Sequence, residues 1–102
     1  MGHPRVTGMT VSQRLRPSAD VIFRELDGEA VLLDLGSGRY YGLNGVATRV
    51  WTLVAGGTPV EGVLEALALE FDAEAPRIAT DVEALLADLI DRGLLVEDAA
   101  PR

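Results

Sequence analysis

Cysteine is missing from this chain, and with it every disulfide, thiolate metal site and thiol nucleophile. Lysine is missing too, so all nine basic residues are arginine. Histidine occurs once, at His3, among the first few residues, where no catalytic partner can be assigned to it. Aromatics are few (Phe23, Tyr40, Tyr41, Trp51 and Phe71), so aliphatic side chains must fill most of the interior. No apolar run approaches the roughly 20 residues that a membrane span requires, and the first ten residues, MGHPRVTGMT, lack the hydrophobic centre of an export signal. Neither a membrane role nor secretion is expected, and a cytoplasmic location fits the absence of cysteine.

What is present is enough for one small domain. Of the 102 residues, 48% are hydrophobic, which supports a modest core. Charge is unevenly distributed. Residues 1–60 hold six Arg against five acids, a net +1, whereas residues 61–102 hold three Arg against eleven acids, a net −8, together giving the net charge of −7. Such a chain repels a phosphate backbone, so nucleic acid is not an expected partner. A neutral or basic partner is easier to accommodate.

Residues 1–18, with Gly2, Pro4, Gly8 and Pro17, show no periodicity and read as a flexible tail, within which Val11–Arg16 is a candidate short edge strand. Three strand signals follow, at Val21–Leu26, Ala30–Leu35 and Arg39–Leu43. Asp27-Gly28 separates the first two and favours a type I′ hairpin turn, because both positions there take positive φ. Gly36-Ser37-Gly38 makes a looser second turn.

At Asn44, a good N-cap, the apolar period changes from two to about 3.6 residues. Val46, Ala47, Val50, Trp51 and Val54 form the stripe of a first helix that Gly56-Gly57 ends. Thr58-Pro59-Val60-Glu61 has the order of a capping box opening a second helix, which runs to near Phe71. Ile78, Val82, Leu85, Leu86, Leu89 and Ile90 give the stripe of a third helix, stopped at Gly93, after which Leu94-Leu95-Val96 is expected to return to the core. Sheet first and helices after, without βαβ alternation, predicts an α+β fold: a three-stranded antiparallel sheet followed by three helices, with a winged helix-turn-helix-like shape. The expected domain is 19–97, flanked by tails at 1–18 and 98–102.

A search for chemistry finds little. Ser37 lacks both a nucleophile-elbow context and a base, and reads as a turn residue. Gly36-Ser37-Gly38 precedes a strand, whereas phosphate cradles precede a helix. Asp81, Asp88 and Asp91 read as the solvated face of helix three rather than as a metal or acid–base pair, and Trp51 reads as core. No enzyme activity, metal or cofactor is expected. Tyr40 and Tyr41 must point to opposite faces of their strand, so one can enter the core while the other faces out.

The run Leu32-Leu33-Asp34-Leu35-Gly36-Ser37-Gly38-Arg39-Tyr40-Tyr41-Gly42-Leu43-Asn44 resembles the PqqD-like family, whose members carry LLDL-x-x-G-x-YY-x-LN before the first helix. Val50-Trp51-x-Leu53, Thr58-x-Val60-Glu61, Asp81-Val82-x-x-Leu85-Leu86-x-x-Leu89 and Arg92-Gly93-Leu94-Leu95 continue the likeness over about residues 18–97. Gly45-Val46-Ala47-Thr48 departs from the family's commoner acidic-Val-Gly-Ala, and Leu85 stands where many members carry an aromatic.

The resemblance implies a non-catalytic recognition element for ribosomally made, post-translationally modified peptides. The leader of the precursor would add as a strand to the third strand, against helix three, by β-augmentation. The Gly38–Asn44 form looks most like the stand-alone domains of lasso-peptide pathways, whose partners are a leader peptidase and a cyclase; the alternatives are a PQQ-type peptide chaperone for a radical SAM enzyme and a winged-helix DNA-binding regulator. On this reading Arg39, Tyr40, Tyr41, Gly42 and Leu43 form the binding edge. Val82, Leu85, Leu86 and Leu89 supply an apolar wall, some of them facing the core instead, and Asp81 and Asp88 pair with basic leader residues.

Overall fold

The computed structural model describes residues 14–71 and 74–97. The elements run β1 (Leu15–Pro17), β2 (Val21–Leu26), β3 (Glu29–Asp34), β4 (Arg39–Leu43), α1 (Gly45–Ala55), α2 (Val60–Phe71), α3 (Ala75–Asp91) and β5 (Leu95–Glu97). The α+β arrangement of a three-stranded antiparallel sheet and three helices is the expected one. In the sheet β3 is central, so β2 and β4 are both outer strands.

The Asp27-Gly28 turn has φ of 58° and 83° and closes the β2–β3 hairpin with Leu26 opposite Glu29. The second turn is organised by Asp34. Its carboxylate accepts from the Gly36 N–H at 3.1 Å and the Ser37 hydroxyl at 2.9 Å, and its carbonyl accepts from the Gly38 N–H at 2.7 Å. Ser37 in turn accepts from the Arg39 N–H at 3.2 Å. Asp34, Gly36, Ser37 and Gly38 thus build the turn that sets the start of β4.

Register and pleat sort the sheet residues. Phe23, Leu32 and Tyr41 share one row facing the helices; Ile22, Leu33 and Tyr40 share the neighbouring row on the opposite face. Beneath the inner face Trp51 is buried and stacks on Phe23, with ring centroids 6.4 Å apart and planes 13° apart. Leu32, Val50, Val54, Val63, Leu67, Leu86 and Leu94 complete the centre of one continuous core.

Helix ends follow the local signals, with one exception. Asn44 accepts from the Ala47 N–H at 2.8 Å and caps α1. Both α1 and α3 end in Schellman motifs: Gly57 bonds Val54 and Thr58 bonds Leu53, while Gly93 bonds Ile90 and Leu94 bonds Leu89. Gly57 (φ 95°) and Gly93 (φ 77°) occupy the left-handed position that each motif needs. The capping box expected at Thr58 does not form. Only a short link joins α1 to α2, and Thr58 is used to close α1; a Cβ built on Gly62 would stand 2.7 Å from the Thr58 methyl, which accounts for glycine there.

The expected tail boundary also moves. β1 pairs antiparallel with β5, Leu15 opposite Glu97 and Pro17 opposite Leu95. Leu15 is 2% exposed and belongs to the core. Residues 15–17 are therefore part of the folded unit, and Leu94-Leu95-Val96 returns to it as expected, as a strand. Of the candidate strand at 11–16, residues 11–13 lie outside the described residues, as do His3 and the expected tail at 98–102. Among the described residues no helix is long and apolar enough to cross a membrane.

Candidate functional site

β4 pairs with β3 on one side; on its other side no described strand joins it. Alternate N–H and C=O groups of an outer strand point away from the sheet and are available to a further strand. From Tyr40 to Leu43 the strand carries no charge.

α3 runs beside this edge in the opposite direction. At one end the Arg92 guanidinium, just beyond the helix, lies over the Tyr41 ring, 5.1 Å from its centroid. At the other end Val46, shortly after β4, lines a cavity with Ile78, Asp81 and Val82 of α3. The strand edge and the helix therefore flank a groove that runs from Arg92 to this cavity. The cavity, of about 180 Å³, has Leu67, Ile78 and Val82 as apolar lining, Val46 and Phe71 as partly exposed apolar walls, and Arg77 and Asp81 beside them. A second, shallower hollow of about 640 Å³ lies on the other side of the sheet, between the tip of the β2–β3 hairpin and the end of β4.

The expected site residues divide into two groups. Arg39 and Gly42 are exposed, Tyr40 is 71% exposed on the outer face, and Tyr41 is half-buried on the inner face. Asp81 and Asp88 are exposed, and Leu85 is half-buried at the border of the core. Leu43, Val82, Leu86 and Leu89 are 6%, 2%, 0% and 3% exposed. The apolar wall expected from α3 is thus mostly core. Val82, Leu86 and Leu89 lie on the side of α3 turned to the domain interior, and Leu85, one position off that line, is the member left at its border.

Asp88 has a partner within the domain. Its two carboxylate oxygens each accept from Arg92 Nε at 3.0 Å, so it already has a cation. Hydrogen bonding to Asp88 and to Tyr41 raises the Arg92 pKa above the ordinary arginine value. Arg92 is absent from the expected set. Its i,i+4 spacing from Asp88 is visible in the sequence, but its position over Tyr41 is not. The apolar cavity is likewise missed, since it joins residues from three helices. Among the described residues no three histidine or carboxylate side chains converge as a metal site.

An open sheet edge, uncharged from Tyr40 to Leu43 and facing an amphipathic helix across a groove, defines a class of small α+β domain suited to holding an extended peptide. Residues 29–95 match the model of the family described as Coenzyme PQQ synthesis protein D (PqqD), and the chain belongs to that family. It is 32% identical over 99 residues to the PqqA binding protein of Rhodopseudomonas palustris (strain BisB5), covering 91% of this chain and 95% of that one.

Solved structures agree. TbiB1 in complex with the TbiA(beta) leader peptide superimposes with a TM-score of 0.76 at 29% identity, covering 85% of this chain and 99% of that one. Lasso peptide synthetase B1 complexed with the leader peptide gives 0.75 at 26% identity, covering 81% and 98%. The solution structure of the PqqD truncation of Methylobacterium extorquens PqqCD, a stand-alone RiPP recognition element, gives 0.72 at 27% identity, covering 89% and 97%.

Proposed function

We propose that this protein binds, without catalysis, the leader segment of a ribosomally synthesised precursor peptide. The leader adds as a strand to β4 and lies in the groove against α3. The observation that carries this reading is the open outer edge of β4, uncharged from Tyr40 to Leu43, set beside α3. Backbone hydrogen bonds to Arg39–Leu43 supply affinity, and side chains of the leader supply specificity where they meet the groove. Tyr41, Leu85 and the cavity at Val46, Phe71 and Ile78 receive apolar leader residues such as Tyr and Pro; Asp81 faces a basic one. Leu43, Val82, Leu86 and Leu89 act from beneath, by fixing the strand and the helix in place.

The likeness to the leader-bound lasso peptide synthetase B1 supports a lasso-peptide pathway, in which the complex is delivered in the cytoplasm to a leader peptidase and a cyclase. Sheet and helices in this order also permit a winged helix-turn-helix description, but net −8 over residues 61–102 opposes a DNA-binding role. The test is titration with the leader of its cognate precursor peptide. Calorimetry should give a saturable 1:1 isotherm, and amide shifts should centre on residues 39–43 and 81–92. Absence of heat and of shifts sinks the proposal.

A further inference from the structure

We infer that Arg92 is a specificity-determining residue that receives an acidic side chain of the strand added to β4, which deepens the leader-binding reading and rests on it. Four observations converge. First, the position is rigid. Arg92 is the C-cap of α3, its N–H bonds the Asp88 carbonyl at 3.0 Å, and the following Gly93 and Leu94 close the Schellman motif with Leu94 buried. Second, the side chain is oriented. Asp88 holds Nε from one side, and the Tyr41 ring supports the plane of the guanidinium. Third, this arrangement leaves the fork of the two terminal nitrogens without an ion pair among the described residues; that fork matches a carboxylate with two parallel N–H donors. Fourth, Arg39 lies on the same face of β4 as Tyr41, two positions away, and it too has no ion pair among the described residues.

This end of the groove therefore carries Arg92, paired with Asp88 through Nε only, and Arg39, which stands opposite Asp34 in the register without an ion pair to it, in a chain whose net charge is −7. Side chains of an added strand alternate, and those directed toward α3 opposite Tyr41 meet Arg92. An apolar side chain there would cover the guanidinium without pairing it. A carboxylate uses the two terminal nitrogens, which hold no ion pair among the described residues, and leaves Asp88 in place. The expectation that a basic leader residue meets Asp88 is thereby reversed: Asp88 orients Arg92, and the leader supplies the acid.

The experiment uses the full chain and a synthetic peptide with the leader sequence of the cognate precursor, together with peptides in which each Asp or Glu is singly replaced by Asn or Gln. One peptide substitution should weaken binding about tenfold in calorimetry. Arg92→Gln should weaken the parent peptide equally, and the two changes together should cost no more than either alone. Arg92→Glu should be rescued by the peptide carrying Arg at that acidic position. Asp88→Asn, which keeps the Arg92 charge but loosens the orientation of that side chain, should cost less than Arg92→Gln. The inference is overturned if the parent peptide binds and no acidic position matters, if the paired segment holds no acid, or if the two losses add. The peptide substitutions leave the protein untouched, so they decide even where an Arg92 variant misfolds. Failure of the parent peptide to bind at all removes the leader reading itself, a distinct result that also removes this inference.

Discussion

The sheet has two outer strands, and they differ in how they meet an incoming strand. β2 carries Arg24 on its outer face and Glu25 on its inner face; β4 carries Tyr40 and Tyr41 in the corresponding orientations and no charge from there to Leu43. Charged side chains on an outer strand disfavour pairing with another strand, because the added strand would desolvate them. Phe23 and Tyr41 are both half-buried on the inner face, but Phe23 packs on Trp51 whereas Tyr41 is touched by Arg92 across the groove. Two strands of one sheet are thus prepared for opposite tasks. One closes the domain, and the other holds a place open.

The strongest way to break the comparison is to give β4 the charges of β2. Tyr40→Arg with Tyr41→Glu should lower leader affinity about 100-fold, with the added Glu also competing for Arg92. The thermal transition should hardly move. Calorimetry and melting curves measured together decide whether the edge or the fold has been lost. Single truncations sharpen the contrast. Phe23→Ala should cost about 2 kcal/mol of stability in urea unfolding, because a stacked ring is removed from a half-buried site, yet leave leader affinity unchanged once the protein is folded. Tyr41→Ala should do the reverse, with affinity falling about tenfold and a small change in stability.

Gly93→Ala should cost about 1 kcal/mol, since φ of 77° is strained for any residue with a Cβ. As that turn fixes Arg92, a modest loss of leader affinity should accompany it, whereas the equally strained Gly57→Ala should destabilise the fold without affecting binding.

The smallest effect concerns the exposed pair between α1 and α2. Arg49 donates to Glu70 at 2.7–3.1 Å, and this hydrogen bonding holds Glu70 below the ordinary carboxylate range. The folded state therefore binds that proton less readily than the unfolded chain. The contribution is complete above the ordinary carboxylate range and is lost as pH falls through the lowered folded value. Glu70→Gln should flatten the acid limb of a stability-against-pH curve slightly, and leader binding near neutral pH should not respond.

Much of the fold is legible in the sequence because its signals are local. The Asp27-Gly28 turn, the Asn44 cap, the glycines after α1 and α3 and the apolar stripe of α3 each depend on residues within a turn or two of one another. Thr58 is the instructive failure. Its sequence context is that of a helix N-cap, but the short link to α1 commits its N–H to closing the preceding helix, and two overlapping local rules cannot both be satisfied.

The site is legible in part, for a similar reason. β4 is visible as a short strand, uncharged from Tyr40 to Leu43, between a glycine turn and the Asn44 helix cap, and the family pattern from Leu32 to Asn44 marks it. By itself the sequence determined the three strands of the sheet and the three helices in their order, the absence of thiol chemistry and the stretch without charge from Tyr40 to Leu43, all of which follow from residue type and short-range spacing. Only the tertiary structure decided which α3 side chains are buried, because Val82, Leu85, Leu86 and Leu89 share one apolar stripe and packing alone separates them. It also decided that β1 pairs with β5 from the far ends of the domain, that three helices enclose the apolar cavity, and that Arg92 meets Tyr41. Contacts between residues distant along the chain depend on how every intervening element packs, and no local spacing encodes them.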